Sequence, residues 1–485
     1  MTVNEAKKRK VEFGDFQTPA ALARVVCERL AAAGFAPDVV IEPTCGVGAF
    51  VLAAAHQFPR AEVHGYEINP SYLDDLRHGV EELGLGRRVN LHQQDFFATD
   101  WLAQLKAKPG TVLVLGNPPW VTNAGQGAIG GTNLPQKSNF LKHTGFDAIT
   151  GKANFDISEW MLIDLMRALG ARGGDLAMLV KTAVARKVIA HAERMELGVS
   201  YAAMFGIDAK RHFGASVDAC LLVARFTGAQ ANTGIDYDVH PSLDTYGAAR
   251  RVGHRRGLTV GDLARFEQHA ALVGESPQKW RSGIKHDASS IMEFDSAGEV
   301  LRNGLEEIVS VESNYLYPLM KGSDIGSNRD WRGKFVLVTQ RKPGDDTSAI
   351  QERAPRTWQY LERHGDVLDA RGSSIYKKNP RFAIFGIGDY AFRPWRIAIC
   401  GLYKKLNFRL VGPIDGKPVQ FDDTVYYVSF DDRGEAEDAM QRICSRDALE
   451  LYSSLIFWDE KRPIKSSVLN TLDWTRIPDA SKRAA

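Results

Sequence analysis

Hydrophobic and polar positions follow two alternating rhythms through the first half of the chain. Residues 20–35, AALARVVCERLAAAGF, place apolar side chains at helical spacing and stop at Gly34, a suitable C-cap. Residues 38–42, DVVIE, form the short apolar run of a buried strand, followed by the Gly-containing turn PTCGVGAF and the helical VLAAAHQF. The same order then repeats. A second strand is expected over 61–66 with Glu67 at its end, a helix over 71–84, a third strand over 88–95 and a fourth from Val112 to Leu115. A helix over 156–170 and a strand over 175–181 continue the pattern, and 199–206 and 217–226 read as the last strands of the sheet.

This alternation predicts an α/β fold, a parallel sheet with helices on both faces. Ligands of such sheets bind outside the carboxyl ends of the strands. The residues at those ends are Glu42 to Gly48, Glu67, Asp95 and Asn117. Beyond residue 230 the alternation fades, and TGAQANTGIDYD (227–238) reads as a seam. The expected division is an α/β domain over 1–235 and a mostly α+β domain over 236–485.

Composition narrows the class. A chain of 485 residues is expected to hold two domains or more, and 44% hydrophobic with 25% charged residues is ordinary for a globular protein. No apolar run approaches the ~20 residues that span a bilayer, so no membrane partner is expected. MTVNEAKKRKVEFGDF lacks the apolar core of a signal peptide. The five cysteines are scattered without a CxxC pair, which argues against zinc, other metals and disulfides and fits a reducing, cytoplasmic setting. Lys7-Lys8-Arg9-Lys10 reads as a solvated basic tail. The net charge is only +2, so any nucleic-acid surface must be local.

The strand ends suggest a nucleoside pocket. Glu67 follows Gly48 at close to the roughly 20-residue spacing of an acid that accepts from ribose hydroxyls. Asp95 can accept from an exocyclic amine, and Phe96 can pack on a purine. NAD is a rival ligand, but CGVGAF is not a complete G-x-G-x-x-G, and Glu42 offers its carboxylate to a cation rather than a phosphate. S-adenosylmethionine has an adenine, a ribose and an ammonium group, and no phosphate.

The run VLVLGNPPW (112–120) leaves a buried strand through Asn117, Pro118, Pro119 and Trp120. Two prolines stiffen the backbone and remove two N–H donors, so nearby carbonyls face outward as acceptors. With the Asn117 side-chain carbonyl they can hold both hydrogens of one amine and draw its lone pair out of ring conjugation. Trp120 adds a face for base stacking.

These motifs resemble the gamma-class DNA adenine-N6 methyltransferases, which have a Rossmann-like class I fold. FGDFQTP (13–19) is similar to the family's first motif, EPTCGVGAF (42–50) to its glycine motif, GYEINP (65–70) to its ribose motif, QQDFF (93–97) to its adenine motif and NPPW (117–120) to its catalytic motif. The resemblance implies an S-adenosylmethionine site built from Thr18, Pro19, Glu42, Pro43, Cys45, Gly46, Gly48, Glu67, Asp95 and Phe96. It implies catalysis by the 117–120 turn, and RHFGASVDACLLVARF (211–226) points to Phe213 as the ring that sandwiches the flipped base with Trp120. GKANFDISEWML (151–162) is similar to the segment flanking the base pocket, and residues 121–150 are expected to form a loop that orders over the DNA.

A target-recognition domain comes last in this family. Residues 371–410 hold nine Lys/Arg against one acid, Asp389, interleaved with aromatics. Arg371, Lys377, Lys378, Arg381, Arg393, Arg396, Lys404 and Lys405 are therefore the candidates for facing double-stranded DNA. A monomer is expected. About 12 residues precede FGDFQTP, so a fused nuclease is not expected and a separately encoded restriction endonuclease remains open as partner. The alternatives are an RNA or protein-glutamine N-methyltransferase, or a non-enzymatic DNA-binding module derived from the fold.

Overall fold

The computed structural model describes residues 17–120, 156–231, 234–245, 250–298 and 300–478. The expectations for Lys7 to Lys10, for 121–150 and for 151–155 lie outside the described residues. Contact density divides the chain into two compact units, Met1–Thr259 and Val260–Ala485. No helix among the described residues is long and apolar enough to cross a membrane.

The first unit runs α1 (Ala20–Ala32), β1 (Val39–Glu42), α2 (Ala49–Gln57), β2 (Glu62–Glu67), α3 (Pro70–Glu82), β3 (Val89–Gln93), α4 (Trp101–Lys106) and β4 (Val112–Gly116). It continues with α5 (Ile157–Arg172), β5 (Gly174–Lys181), α6 (Thr182–Arg194), β6 (Val199–Ile207), α7 (Ala209–Phe213), β7 (Ala219–Phe226), β8 (Tyr237–His240), β9 (Arg250–Arg255) and β10 (Leu258–Val260). The sheet order is β10-β9-β8-β6-β7-β5-β4-β1-β2-β3. Strands β3, β2, β1, β4 and β5 are parallel, and β7 enters antiparallel between β5 and β6. This is a Rossmann-like arrangement, and its strand order reverses between β1 and β4, where a ligand crevice is expected.

Local causes are plain. On α1, Leu22, Val26 and Leu30 fall on one face and are buried, as their four-residue spacing dictates. Helix α3 starts at Asn69, whose side chain accepts from Ser71 N, with Pro70 pre-set in the first turn. Helix α5 is buried on most of its surface, including Ser158 and Glu159 in its first turn, which explains its high apolar content.

Two expectations are corrected. Strands 199–206 and 217–226 are not the last of the sheet, because β8 pairs with β6 and β9 with β8. The seam at 227–238 lies inside the first unit, and the boundary falls within β10 rather than at 235. The Gly- and Thr-rich stretch is tied down by Thr227 N donating to Gly198 O (3.0 Å) and by β8 itself, so its composition marks a turn and not a joint.

The second unit holds a six-stranded sheet, β14-β13-β12-β16-β15-β19, and a four-stranded sheet, β11-β20-β17-β18. Its strands are β11 (Arg281–Ser282), β12 (Glu293–Ala297), β13 (Val300–Asn303), β14 (Ile308–Val309), β15 (Leu316–Met320), β16 (Lys334–Leu337), β17 (Trp395–Cys400), β18 (Arg409–Val411), β19 (Gln420–Phe421) and β20 (Val425–Phe430). The longest ladder pairs β17 with β20 from Trp395–Phe430 to Cys400–Val425.

That ladder overturns part of the basic-surface expectation. Arg396, in β17, is fully buried and donates to the carbonyls of Val419 and Ala391, against the rings of Phe421 and Tyr427. Burial pulls its guanidinium down to about 10. Arg371 is buried too, donating to Leu368 O, His286 O and Ala383 O and lying over the Tyr376 ring. Neither can face DNA. Arg381 is ion-paired with Asp369 and Glu362, and Arg393 with Asp431. Lys377, Lys378, Lys404 and Lys405 are exposed. Arg396→Met should therefore destabilise the protein by about 1–3 kcal/mol, the cost of stranding a buried carbonyl, whereas Lys404→Ala should be near neutral. Urea unfolding of both variants checks this; equal midpoints would show that Arg396 does not hold the ladder.

Candidate cofactor and catalytic site

The carboxyl ends of β1, β2 and β4, with the turn after β3, border one cleft of about 1040 Å³ counting its open mouth. It is lined by Thr18, Glu42, Pro43, Cys45, Gly46, Glu67, Asp95, Phe96, Asn117 and Pro119. Residues distant in the chain thus meet because parallel strands end on the same edge. Pro19, Gly48, Pro118, Trp120 and Phe213 do not line it. Pro19 instead caps α1, its carbonyl accepting from Leu22 and Ala23 N–H.

The glycine turn is held by the acid after β2. Glu67 Oε2 accepts from Gly46 N (2.8 Å) and Oε1 from Asn69 N (2.9 Å). A carboxylate has about four acceptor positions, so Glu67 can shape the turn and still receive ribose hydroxyls. Gly46 has φ +53, and a Cβ there would come within 2.7 Å of Gln17 Oε1. Gly48 has φ +86 and abuts Leu76 of α3, where a Cβ would lie 2.1 Å from Cδ1. Its glycine therefore serves helix packing, a different task from the expected cofactor contact.

Glu42 is buried, and Oε2 has no hydrogen-bond partner among the described residues. Burial pushes its carboxyl well above the usual range; a hydrogen bond from the Val51 backbone opposes this, and the Glu67 charge adds to it. A buried carboxylate with one unpartnered oxygen, beside a second carboxylate, can receive a cation. Burial also pushes the Cys45 thiol up, with Glu42 and Glu67 adding to it, so it is inert as a nucleophile. Asp95 starts a helical turn by accepting from Phe97 N (2.9 Å), and the Phe96 ring rests on Trp101 with centroids 4.9 Å apart.

At the Asn117–Trp120 turn, Asn117 Nδ2 donates to Thr18 Oγ1 at 3.2 Å, which points the amide's carbonyl end away from Thr18. Trp120 Nε1 donates to Leu179 O at 3.1 Å. Trp120 and Phe213 are both buried and meet edge-to-face, centroids 5.1 Å apart and planes at 67°. A base between two faces needs about 7 Å, twice the carbon contact distance, and these rings fill each other's space. Sequence reading missed Gln17, Asn69 and Tyr72 in the cleft, and Lys181, which reaches Trp120 O. Lys181 ends a strand on the edge that carries Asn117, which was the available signal.

The chain is 46% identical over 474 residues to the Type II methyltransferase M.NspV of a Nostoc species, covering 97% of this chain and 98% of the relative. The chain belongs to the Type II methyltransferases. No family model matches the chain. The methyltransferase is also 39% identical over 79 residues, 16% of its length and 26% of the relative, to a release factor glutamine methyltransferase of Moorella thermoacetica. Its fold is similar to that of the Type IIL restriction-modification enzyme MmeI, with TM-score 0.53 and 13% identity, covering 96% of this chain and 67% of that one. S-adenosylmethionine is the methyl donor, and the cleft fits it: two carboxylates, one of them buried with an unpartnered oxygen, suit an ammonium and a ribose, and no Lys or Arg is among the described residues that line it.

A raised carboxyl costs stability when it ionises. Glu42 binds its proton more tightly folded than unfolded, so its contribution is most favourable below the unfolded value and is lost as pH rises toward the folded one. Glu42→Gln should raise the thermal midpoint of the cofactor-free methyltransferase at pH 7–8, flatten its decline with pH, and abolish cofactor binding. Differential scanning calorimetry and titration calorimetry read the two effects; a lower midpoint at pH 8 would contradict the assignment.

Proposed function

We propose that this methyltransferase moves a methyl group from S-adenosylmethionine to the N6 amine of a flipped adenine at a specific site in double-stranded DNA, as a gamma-class enzyme. The observation that carries this reading is that Asn117 and Pro119, from the Asn-Pro-Pro-Trp turn, line the same cleft as Glu42, Glu67 and Asp95. S-adenosylmethionine, when bound, supplies an electrophilic methyl on a sulfonium. Glu42 would hold its ammonium, Glu67 the ribose, Asp95 and Phe96 the adenine, and Thr18 the carboxylate.

The target nitrogen is inaccessible inside a duplex, so the base must leave the stack. The Asn117 side-chain carbonyl and the Pro118 main-chain carbonyl accept its two N–H groups. This pyramidalises the amine and favours the charge that develops on attack, so no strong base is needed first. Thr18 orients the Asn117 amide, and stacking between Trp120 and Phe213 requires Phe213 to move. The second unit selects the site through exposed residues such as Lys377, Lys378, Lys404 and Lys405. The enzyme acts as a monomer within a restriction–modification pair, its nuclease separately encoded.

Mass-spectrometric measurement of N6-methyladenine in unmethylated genomic DNA tests the reading. The wild type should produce it with S-adenosylmethionine. Asn117→Ala should lose about 10²–10³-fold in rate, the range for one transition-state hydrogen bond, with cofactor affinity retained. Cofactor binding without DNA methylation would point to another acceptor, such as the glutamine amide suggested by the 79-residue likeness.

A further inference from the structure

Strand β5 holds Trp120 at two points. The indole N–H meets Leu179 O, and the Trp120 main-chain carbonyl accepts from Lys181 Nζ at 3.1 Å. The same ammonium pairs with Asp156 Oδ2 at 2.5 Å, the two side chains being 23% and 8% exposed. Asp156 caps α5, its Oδ1 accepting from Ser158 N (3.1 Å) and Ser158 Oγ (2.5 Å). A second pair, Lys187 with the buried Glu159 (2.8 Å), ties the same turn of α5 to α6.

We propose that Lys181 is a positioning residue for methyl transfer, setting the Asn117–Trp120 turn through the Trp120 carbonyl. This rests on the reading of that turn as catalytic. The turn has two prolines, so it has few N–H groups with which to bind itself to the sheet. Its carbonyls must be fixed by donors from elsewhere, and a charged donor gives the shorter, stronger bond. Lys181 meets that need at the exit of the turn, while parallel pairing of Gly116 with Met178 fixes the entrance. Asp156 keeps the ammonium aimed: without it, a flexible four-carbon stem would not hold one geometry. Lys181 is not among the residues that line the cleft, and it reaches the turn at the Trp120 main-chain carbonyl, so it acts through the backbone.

The test compares Lys181→Met, Lys181→Arg and the double variant Lys181→Met/Asp156→Asn. The double variant removes both charges, so it guards against misfolding from a stranded buried carboxylate. One readout is radiolabelled methyl transfer into DNA. A misplacement near 1 Å can cost about 10²-fold, so kcat should fall by about that factor in Lys181→Met and in the double variant. KM for DNA and Kd for S-adenosylmethionine should stay within about threefold, and Lys181→Arg should recover part of kcat. The second readout needs no activity: amide hydrogen exchange at Asn117 and Trp120 should quicken about tenfold in both Met variants.

A double variant with wild-type kcat and unchanged exchange would overturn the proposal, leaving Lys181 as a counter-ion of Asp156. A raised KM with unchanged kcat would also overturn it, in favour of a DNA contact. If the wild type transfers no methyl to DNA, the functional reading fails, and the exchange measurement still decides whether Lys181 sets the turn.

Discussion

The parallel pairing of β1 with β4 is the constraint on which the site depends. Val39, Val40 and Ile41 lie beside Val112, Leu113 and Val114. That register places Gly116 against Glu42, where a Cβ would lie 3.3 Å from Glu42 Cγ. The glycine leaves space for a buried carboxylate, and the next residue is Asn117. Glu42 and Asn117 are thus spaced by a strand ladder rather than by a loop. Such ladders are the stiffest part of a fold, which suits chemistry that needs alignment to a fraction of an ångström.

The first unit was legible because its signals are local. Apolar runs of strand length, helical spacing in α1 and strand-end acids each depend on a few consecutive residues, and the motifs lie where those strands stop. The far side of the sheet was not legible. Strands β8 and β9 carry polar and basic residues, such as Asp238 and Arg251, because they lie toward the edge away from the covered centre. The basic run at 371–410 misled for a related reason. Charge counts say nothing of partners, and the two terminal nitrogens of Arg396 are met by carbonyls at 391 and 419 that only folding brings together. The Trp120–Phe213 contact is likewise a property of packing that no motif spells out.

Glu42 shows a site bought against stability. A protein selected for stability alone would not bury a carboxyl with one oxygen unmet beside a second carboxylate. Here the surrounding sheet and helices over-determine the position, so the chain tolerates it. Glu67 takes the opposite course: its oxygens are already engaged by the backbone of the turns that they organise.

The first unit's extra strands decide how this chain could be recombined with its relatives. A chimaera joined at residue 235, where composition suggests a linker, would take β8 and β9 from a foreign parent and present them to a native β6. Every backbone pair along that edge would then depend on two lineages having kept the same register. A joint placed beyond β10 inherits the ladder whole. Exchange of the second unit between such proteins should thus follow hydrogen-bonded continuity, and a stretch rich in Gly, Thr and Asn is the wrong place for the suture.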